Sequence, residues 1–487
     1  MPQTVRTATA SALRAGRATP WWRWTILGTV GATAMVAASG TISTLPVPAS
    51  AYWWRGLTTL NYATQHLFFY VGFALLALSW WMIEPVRSTS LRPLIVSGAC
   101  WATPLFIGAP LFSRDIYSYV AVGQILHLGL NPYVITPAMA LHGTALTSVA
   151  NVWRNTITPY GPVFLLVQHL VVIVGGPNES VSILVTRAAE LLGVGGLLFS
   201  LRWAPLSTTQ RAYATWLAVA SPSALVCYVA SSHNDTLMIG LLLLGLAAIT
   251  RQRYFVTGLA FGLAVATKTP AALAVVFAAL ALRPRASDIA TPRRWRPSLT
   301  VPVVAGLTVA LTTVAAGDGW GWLSPTALRL PTKLHTEITP VNNVAHLLYL
   351  PFRLVGHGPN FHLFLHVVTL AGEAVAAIVL VRLALGVNVR NLRLRTGLGL
   401  LTLALLSPTM WPWYVMWGLV VLATTPAARR RSLQALAGVS TLLVGAGGTM
   451  MIGGNGWIVT SPLLVAALVW FVATGRWRTC LALEDAN

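Results

Sequence analysis

Apolar runs of about 20 residues recur along almost the whole chain and constrain its fold more than any other feature. The hydrocarbon core of a bilayer is about 30 Å thick, so a helix needs about 20 apolar residues to cross it. Lipid offers no partner to an exposed peptide group, so such runs span as helices. Charge is scarce to match: the chain is 56% hydrophobic and 9% charged, with a mean hydropathy of +0.70, where soluble domains carry about 25% charged residues. The fold class is therefore an all-α polytopic membrane protein.

The runs place helices at 23–43, 65–83, 93–112, 181–201, 212–230, 235–250, 254–267, 270–282, 298–315, 361–383, 396–408, 411–425, 432–451 and 456–474, a bundle of about 12–14 transmembrane helices. The short runs at 254–267, 270–282 and 396–408 read as half-spans or tilted pieces. The stretch YGPVFLLVQHLVVIVGG (160–176) also looks helical. As a full crossing it would invert every loop after it, so it reads as a re-entrant or partial span. No internal repeat is visible. Three scattered cysteines give neither a disulfide framework nor a zinc spacing. Residues 1–22 form a basic N-terminus before the first apolar run, and Ala49-Ser50-Ala51 resembles a cleavage site. The run is longer than a signal peptide's apolar region, which favours an uncleaved first helix.

Loops rich in Lys and Arg stay on the cytoplasmic side. With the N-terminus inside, 24 of the 32 basic residues fall in inner loops, including the 476–487 tail, and eight on the outer half. The net charge of +21 is thus topology and contact with anionic lipid, not a nucleic-acid signal. Residues 23–475 then form one domain with two large outer loops, 113–160 and 316–360.

The outer half carries the chemistry. Asp115 follows an apolar run in FSRDIYSYVAVGQILHLGLNPY, with Tyr117, Tyr119 and His127 behind it. Interfacial anchoring explains the tyrosines. It does not explain an acid at the membrane edge, which is costly unless used or paired with a cation such as Arg114. His233, Asn234 and Asp235 begin a spanning run, where helix capping is the bland account. Lys268 sits at a tip between two short apolar segments, as a phosphate ligand or a snorkelling anchor. The loop 316–343 offers Trp320, Trp322, Arg329, Lys333, His335, Glu337, Asn342 and Asn343, a mixture of aromatic and polar groups that suits sugar rings. SPTMWPWYVMW adds Trp411 and Tyr414 among aromatics that otherwise read as a membrane belt. One placed acid, sugar-binding groups and a few cations (Lys268, then Arg329, Lys333, Arg114 and His233) point to sugar transfer from a polyprenyl phosphate.

SRDIYSYVAVGQILHLGLNPY, TPYGPVF, SSHNDTLMIGLLLLGLA, GLAVATKTP and SPTMWPWYV occur in the order found in multi-spanning glycosyltransferases of the C-type fold. More narrowly, the chain resembles the actinobacterial polyprenyl-phosphomannose-dependent α-(1→6)-mannosyltransferases of lipomannan assembly, over roughly residues 20 to 475. The first motif is the specific one. The resemblance implies a plasma-membrane enzyme with a cytoplasmic N-terminus, an outer active site, and Asp115 as general base. Arg114 and Ile116 flank that acid where some relatives carry a second acid, which argues against a metal held there and fits a cofactor-free reaction.

The expected reaction is an inverting transfer of mannose from polyprenyl-phosphate-mannose to a hydroxyl of a lipid-anchored mannan by a monomer, with Tyr117, Tyr119, His127, Asn234, Asp235, Trp320, His335, Glu337, Trp411 and Tyr414 as sugar contacts. Two alternatives stay open: a lipid-linked sugar transporter, and a transferase using another polyprenyl-linked sugar.

Overall fold

The computed structural model describes residues 20–39, 60–85, 90–284, 292–330, 338–429 and 431–442. The apolar runs become helices, and no strand occurs among the described residues. In chain order the longer ones are α1 (Trp21–Ala37), α2 (Tyr62–Met82), α3 (Leu91–Ile107), α4 (Asp115–His127), α5 (Pro162–Gly175), α6 (Glu179–Trp203), α7 (Thr208–Ala218) and α8 (Asp235–Ile249). They continue as α9 (Tyr254–Thr267), α10 (Ala272–Ala281), α11 (Pro292–Ala316), α12 (Pro340–Val355), α13 (Phe361–Leu385), α14 (Leu392–Leu406), α15 (Val415–Ala423) and α16 (Arg431–Leu442).

Among the described residues, α2, α6, the Trp295–Ala316 part of α11, and α13 are long and apolar enough to cross a membrane, and a bent helix pair makes a fifth candidate. Six further helices of 10–17 residues are apolar. The chain is a multi-pass membrane protein. The expected span 456–474, the 476–487 tail and residues 1–19 of the basic N-terminus lie outside the described residues.

Two sequence expectations change. The run 212–230 is not one straight helix: Ser221 caps a new start at Pro222, the axis bends by 49°, and a π-helical turn, Leu225–Ala230, follows. Pro222 has no N–H to continue the ladder, which is the physical cause. Within the segment read as a large loop, Pro340–Val355 forms α12, with Pro340 in its first turn and Gly356 ending it in the left-handed region at φ 73°.

The packing positions the site. Helix α6 lies against α8, where Gly193 and Gly240 allow a backbone approach that a Cβ would block. Helix α4 lies against α5, α9 against α11, and α14 against α15. Arg395 is buried at the start of α14 and donates to the carbonyls of Arg382 and Leu383 at 3.2 and 2.7 Å, which ties α14 to the end of α13. The large core runs from α1–α3 through the 212–230 region to α15.

Candidate active site

Two loops carry acids to one site, Asp115 in the cavity wall and Asp235 behind it, and each contains a non-glycine residue in the left-handed region. Phe112 (φ 72°) comes three residues before Asp115, and Ser232 (φ 52°) comes three before Asp235. Such residues cost of order 1–3 kcal/mol each and persist where their surroundings enforce them. Phe112 is held by Phe69 and Phe73, at ring-centroid distances of 5.4 and 6.5 Å. Ser232 Oγ donates to the Val229 carbonyl at 3.1 Å.

One buried arginine pins both loops. Arg187, fully enclosed on α6, donates through Nη1 to the carbonyls of Phe106 and Gly108, both at 2.6 Å, and through Nη2 to Ala230 at 3.1 Å. One turn further along α6, the buried Glu190 accepts the Leu237 N–H at 3.3 Å, at the start of α8. Neither residue was singled out from sequence. The signal available was two opposite charges three residues apart inside an apolar run.

Asp115 opens α4 and is 8% exposed. Its backbone N–H donates to Ser113 Oγ at 3.1 Å. Trp153 Nε1 donates to Oδ1 at 2.8 Å, and His233 Nδ1 lies 3.4 Å from Oδ2. His233 stacks on Trp413 at 3.7 Å, and Trp413 stacks on Trp411 at 5.1 Å, so three near-parallel rings run from the acid toward the cavity.

Lys268 follows α9, where Gly161 lets the Tyr160 segment reach the neighbouring Ala266 backbone. Its ammonium lies 2.8 and 2.9 Å from the two oxygens of buried Asp235, and 3.4 Å from Asn234 Oδ1. It also sits over the rings of Tyr414 (4.8 Å) and Trp417 (5.4 Å), and the Trp417 indole donates to Asp235. Lys268 is thus a paired cation on the cavity wall. Asp235 is its counter-ion and is too deeply buried to touch a sugar.

These groups line a cavity of about 510 Å³. Asp115, Trp153, Tyr160, Lys268 and the rings of Trp411, Trp413 and Tyr414 form one part of its wall. Ala376, Ala377, Leu380, Leu403 and Leu406 of α13 and α14 form an apolar part. The turn at Asn131 holds the lining loop: Asn131 Nδ2 donates to the Asp318 carbonyl at 2.9 Å, and Tyr133 Oη donates to the Tyr160 carbonyl at 2.9 Å.

Several expected contacts lie elsewhere. The Arg114 guanidinium turns away and donates to the carbonyls of Ser148 (2.9 Å) and Thr147 (2.5 Å). Burial, with Arg154 close by, holds its pKa below the usual arginine value. Tyr117 lies two residues from Asp115, on the opposite side of α4, and packs on Ile183. Tyr119 is buried edge-on to Tyr160 and Phe164, behind the wall. His127 is exposed at the far end of α4, beside His169. Trp320 is 51% exposed, while Trp322, two residues on, lines the cavity. Arg329 is exposed between two lining leucines, Leu328 and Leu330. Lys333, His335 and Glu337 lie outside the described residues. The lining residues Trp153, Trp413 and Trp417 were not singled out from sequence. Among the described residues no three His, Cys, Asp or Glu side chains gather as a metal site would need.

Residues 25–284 match the family model described as alpha-(1->6)-mannopyranosyltransferase, N-terminal domain, and residues 341–475 match the MptB C-terminal domain. The chain is similar to alpha-(1->6)-mannopyranosyltransferase A of Mycobacterium tuberculosis, 30% identical over 70% of this chain and 66% of that protein. It is 33% identical to alpha-(1->6)-mannopyranosyltransferase A of Corynebacterium glutamicum, over 45% of this chain and 48% of that one. With alpha-(1->6)-mannopyranosyltransferase B of the same organism it shares 25% identity over 83% of this chain and 73% of the other. The chain thus spans just under two thirds and about half of the first two relatives. No solved structure matches it.

Proposed function

We propose that this chain, which belongs to the alpha-(1->6)-mannopyranosyltransferase family, transfers mannose from a polyprenyl-phosphate-mannose donor to a mannose 6-hydroxyl of a lipid-anchored mannan, on the outer face of the membrane. The observation that carries the reading is Asp115. It is a carboxylate at the wall of the cavity, oriented by the Trp153 N–H and flanked by His233. A general base must come within hydrogen-bond reach of the proton it removes. The names of the relatives support the transferred sugar and the linkage.

In the reaction, the acceptor O6 attacks C1 of the donor as its proton passes to Asp115. The new C1–O6 bond forms while the C1–O bond to phosphate breaks, and polyprenyl phosphate leaves with the bonding pair. Attack opposite the leaving group turns a β-linked donor into an α-linked product. Negative charge grows on the departing phosphate, so a fixed cation there lowers the barrier. Lys268 serves in that role, with its direction set by Asp235 and Asn234. Arg329 beside the lining leucines adds a second charge. Leu403 and Leu406 of α14 suit a prenyl chain. No metal or cofactor takes part.

The test uses purified protein in liposomes with radiolabelled polyprenyl-phosphomannose and α-(1→6)-mannotriose. The reading requires label in a longer oligosaccharide. Label that crosses the bilayer with no new glycosidic bond would identify a transporter instead.

A further inference from the structure

Glu373 lies about 18 Å along α13 from Phe361, at a rise of about 1.5 Å per residue. That puts a carboxylate near the middle of a helix long and apolar enough to span a membrane. An ionisable group at that depth is costly and faces a cavity or a partner when it persists. Glu373 faces the cavity: it lines the wall together with Ala376, Ala377 and Leu380, at the i, i+3, i+4 and i+7 positions of one helical face. Gly372 beside it packs closely on Val341 of α12, which fixes the rotation of that face. Glu373 is half-buried, and among the described residues it makes no hydrogen bond or ion pair.

We propose that Glu373 is a specificity-determining residue that accepts hydrogen bonds from hydroxyls of the acceptor mannan. This rests on the reading above and deepens it. An ionised carboxylate has two oxygens and about four acceptor sites, and it offers nothing to a group without donors. Lys268, the described cation in the wall, is held by Asp235. A neutral partner rich in O–H donors suits such an acceptor, and a sugar is such a partner.

The donor mannose is the poorer candidate, because its phosphate hangs from C1. A phosphate charge about 6 Å from Glu373, at an effective dielectric of about 20, would weaken donor binding by about a hundredfold. The acceptor carries no such charge near the reacting hydroxyl. Trp411 at the end of the ring stack offers an apolar face on the same cavity. Stacking on one wall and hydroxyl capture on another would hold a sugar ring in one orientation.

The experiment measures binding of α-(1→6)-mannotriose and, separately, of decaprenyl phosphate, by intrinsic tryptophan fluorescence in nanodiscs, for wild type, Glu373→Ala and Glu373→Gln. Glu373→Ala should lose about 10–100-fold in mannotriose affinity, the usual scale for a hydrogen bond to a charged group. Glu373→Gln should recover part of that, because its amide oxygen still accepts. Decaprenyl phosphate should bind unchanged or more tightly. Mannotriose affinity within twofold of wild type in both variants overturns the proposal, as does a loss confined to decaprenyl phosphate or a wild type that binds no mannotriose. A wild type that binds mannotriose but transfers no mannose overturns the transferase reading alone, since the binding comparison still reports on Glu373.

Discussion

Lys268 Nζ lies 2.8 and 2.9 Å from the two carboxylate oxygens of Asp235, a residue 33 positions earlier in the chain. The acid is enclosed, and the Lys268 side chain is 13% exposed on the cavity wall. Asp235 fixes where the positive charge points, and Lys268 neutralises a charge that would otherwise be stranded.

Removing one partner of a buried ion pair costs about 3–5 kcal/mol, because the other is left uncompensated. Lys268→Met should therefore lower the thermal melting temperature sharply and abolish donor use. The double variant Lys268→Met with Asp235→Asn should regain most of the melting temperature and none of the transfer. If the double variant also regains transfer, Lys268 is structural and the phosphate cation must be sought at Arg329.

Trp153→Phe keeps the aromatic ring and deletes the N–H that orients Asp115. A hydrogen bond to a charged group is worth about 1.5–3 kcal/mol, so kcat should fall about 10–100-fold while the donor KM stays near wild type. A change in KM alone would move Trp153 from positioning the base to binding substrate.

Arg187→Met frees three carbonyls on the two acid-bearing loops. Each unsatisfied buried group costs about 1–3 kcal/mol. The variant should melt well below wild type and be inactive, and Arg187→Lys should recover stability more than rate, because a single ammonium cannot reproduce the planar fork. Full activity in Arg187→Lys would show that the charge alone is enough.

Excess EDTA should leave the transfer rate unchanged. Asp115 has one oxygen bonded to Trp153 and the other facing His233, and Arg114 and Ile116 flank it. Reversible loss of activity, restored by Mg²⁺ or Mn²⁺, would contradict this.

Much of this site was legible one residue at a time. Asp115 stood out as an acid at a membrane edge, and Lys268 as a cation at a tip. Their partners were not legible, because pairing depends on which loops meet. The Asp235–Lys268 pair joins the starts of two segments, and Trp153 reaches Asp115 across 38 residues. Tyr117 is close to Asp115 in sequence, but helical periodicity turns it away from the acid. Trp320 and Trp322 differ by one short turn, whose direction only the packing of Trp322 on Tyr133 and Leu165 decides. The helices themselves were legible because hydropathy sets them locally. The bend at Pro222 is also written in the sequence, in Ser-Pro-Ser, inside a long apolar run.

The most direct test compares wild type with Asp115→Asn, using polyprenyl-phosphomannose and α-(1→6)-mannotriose, with the product linkage read by NMR. Asn preserves the shape and an oxygen for the Trp153 N–H, but it cannot take a proton. Wild type should form a new α-(1→6) bond, and Asp115→Asn, folded and melting like wild type, should be slower by about 10²–10⁴-fold, the usual contribution of a general base. An Asp115→Asn enzyme that transfers mannose within a few-fold of the wild-type rate would contradict the account at its centre.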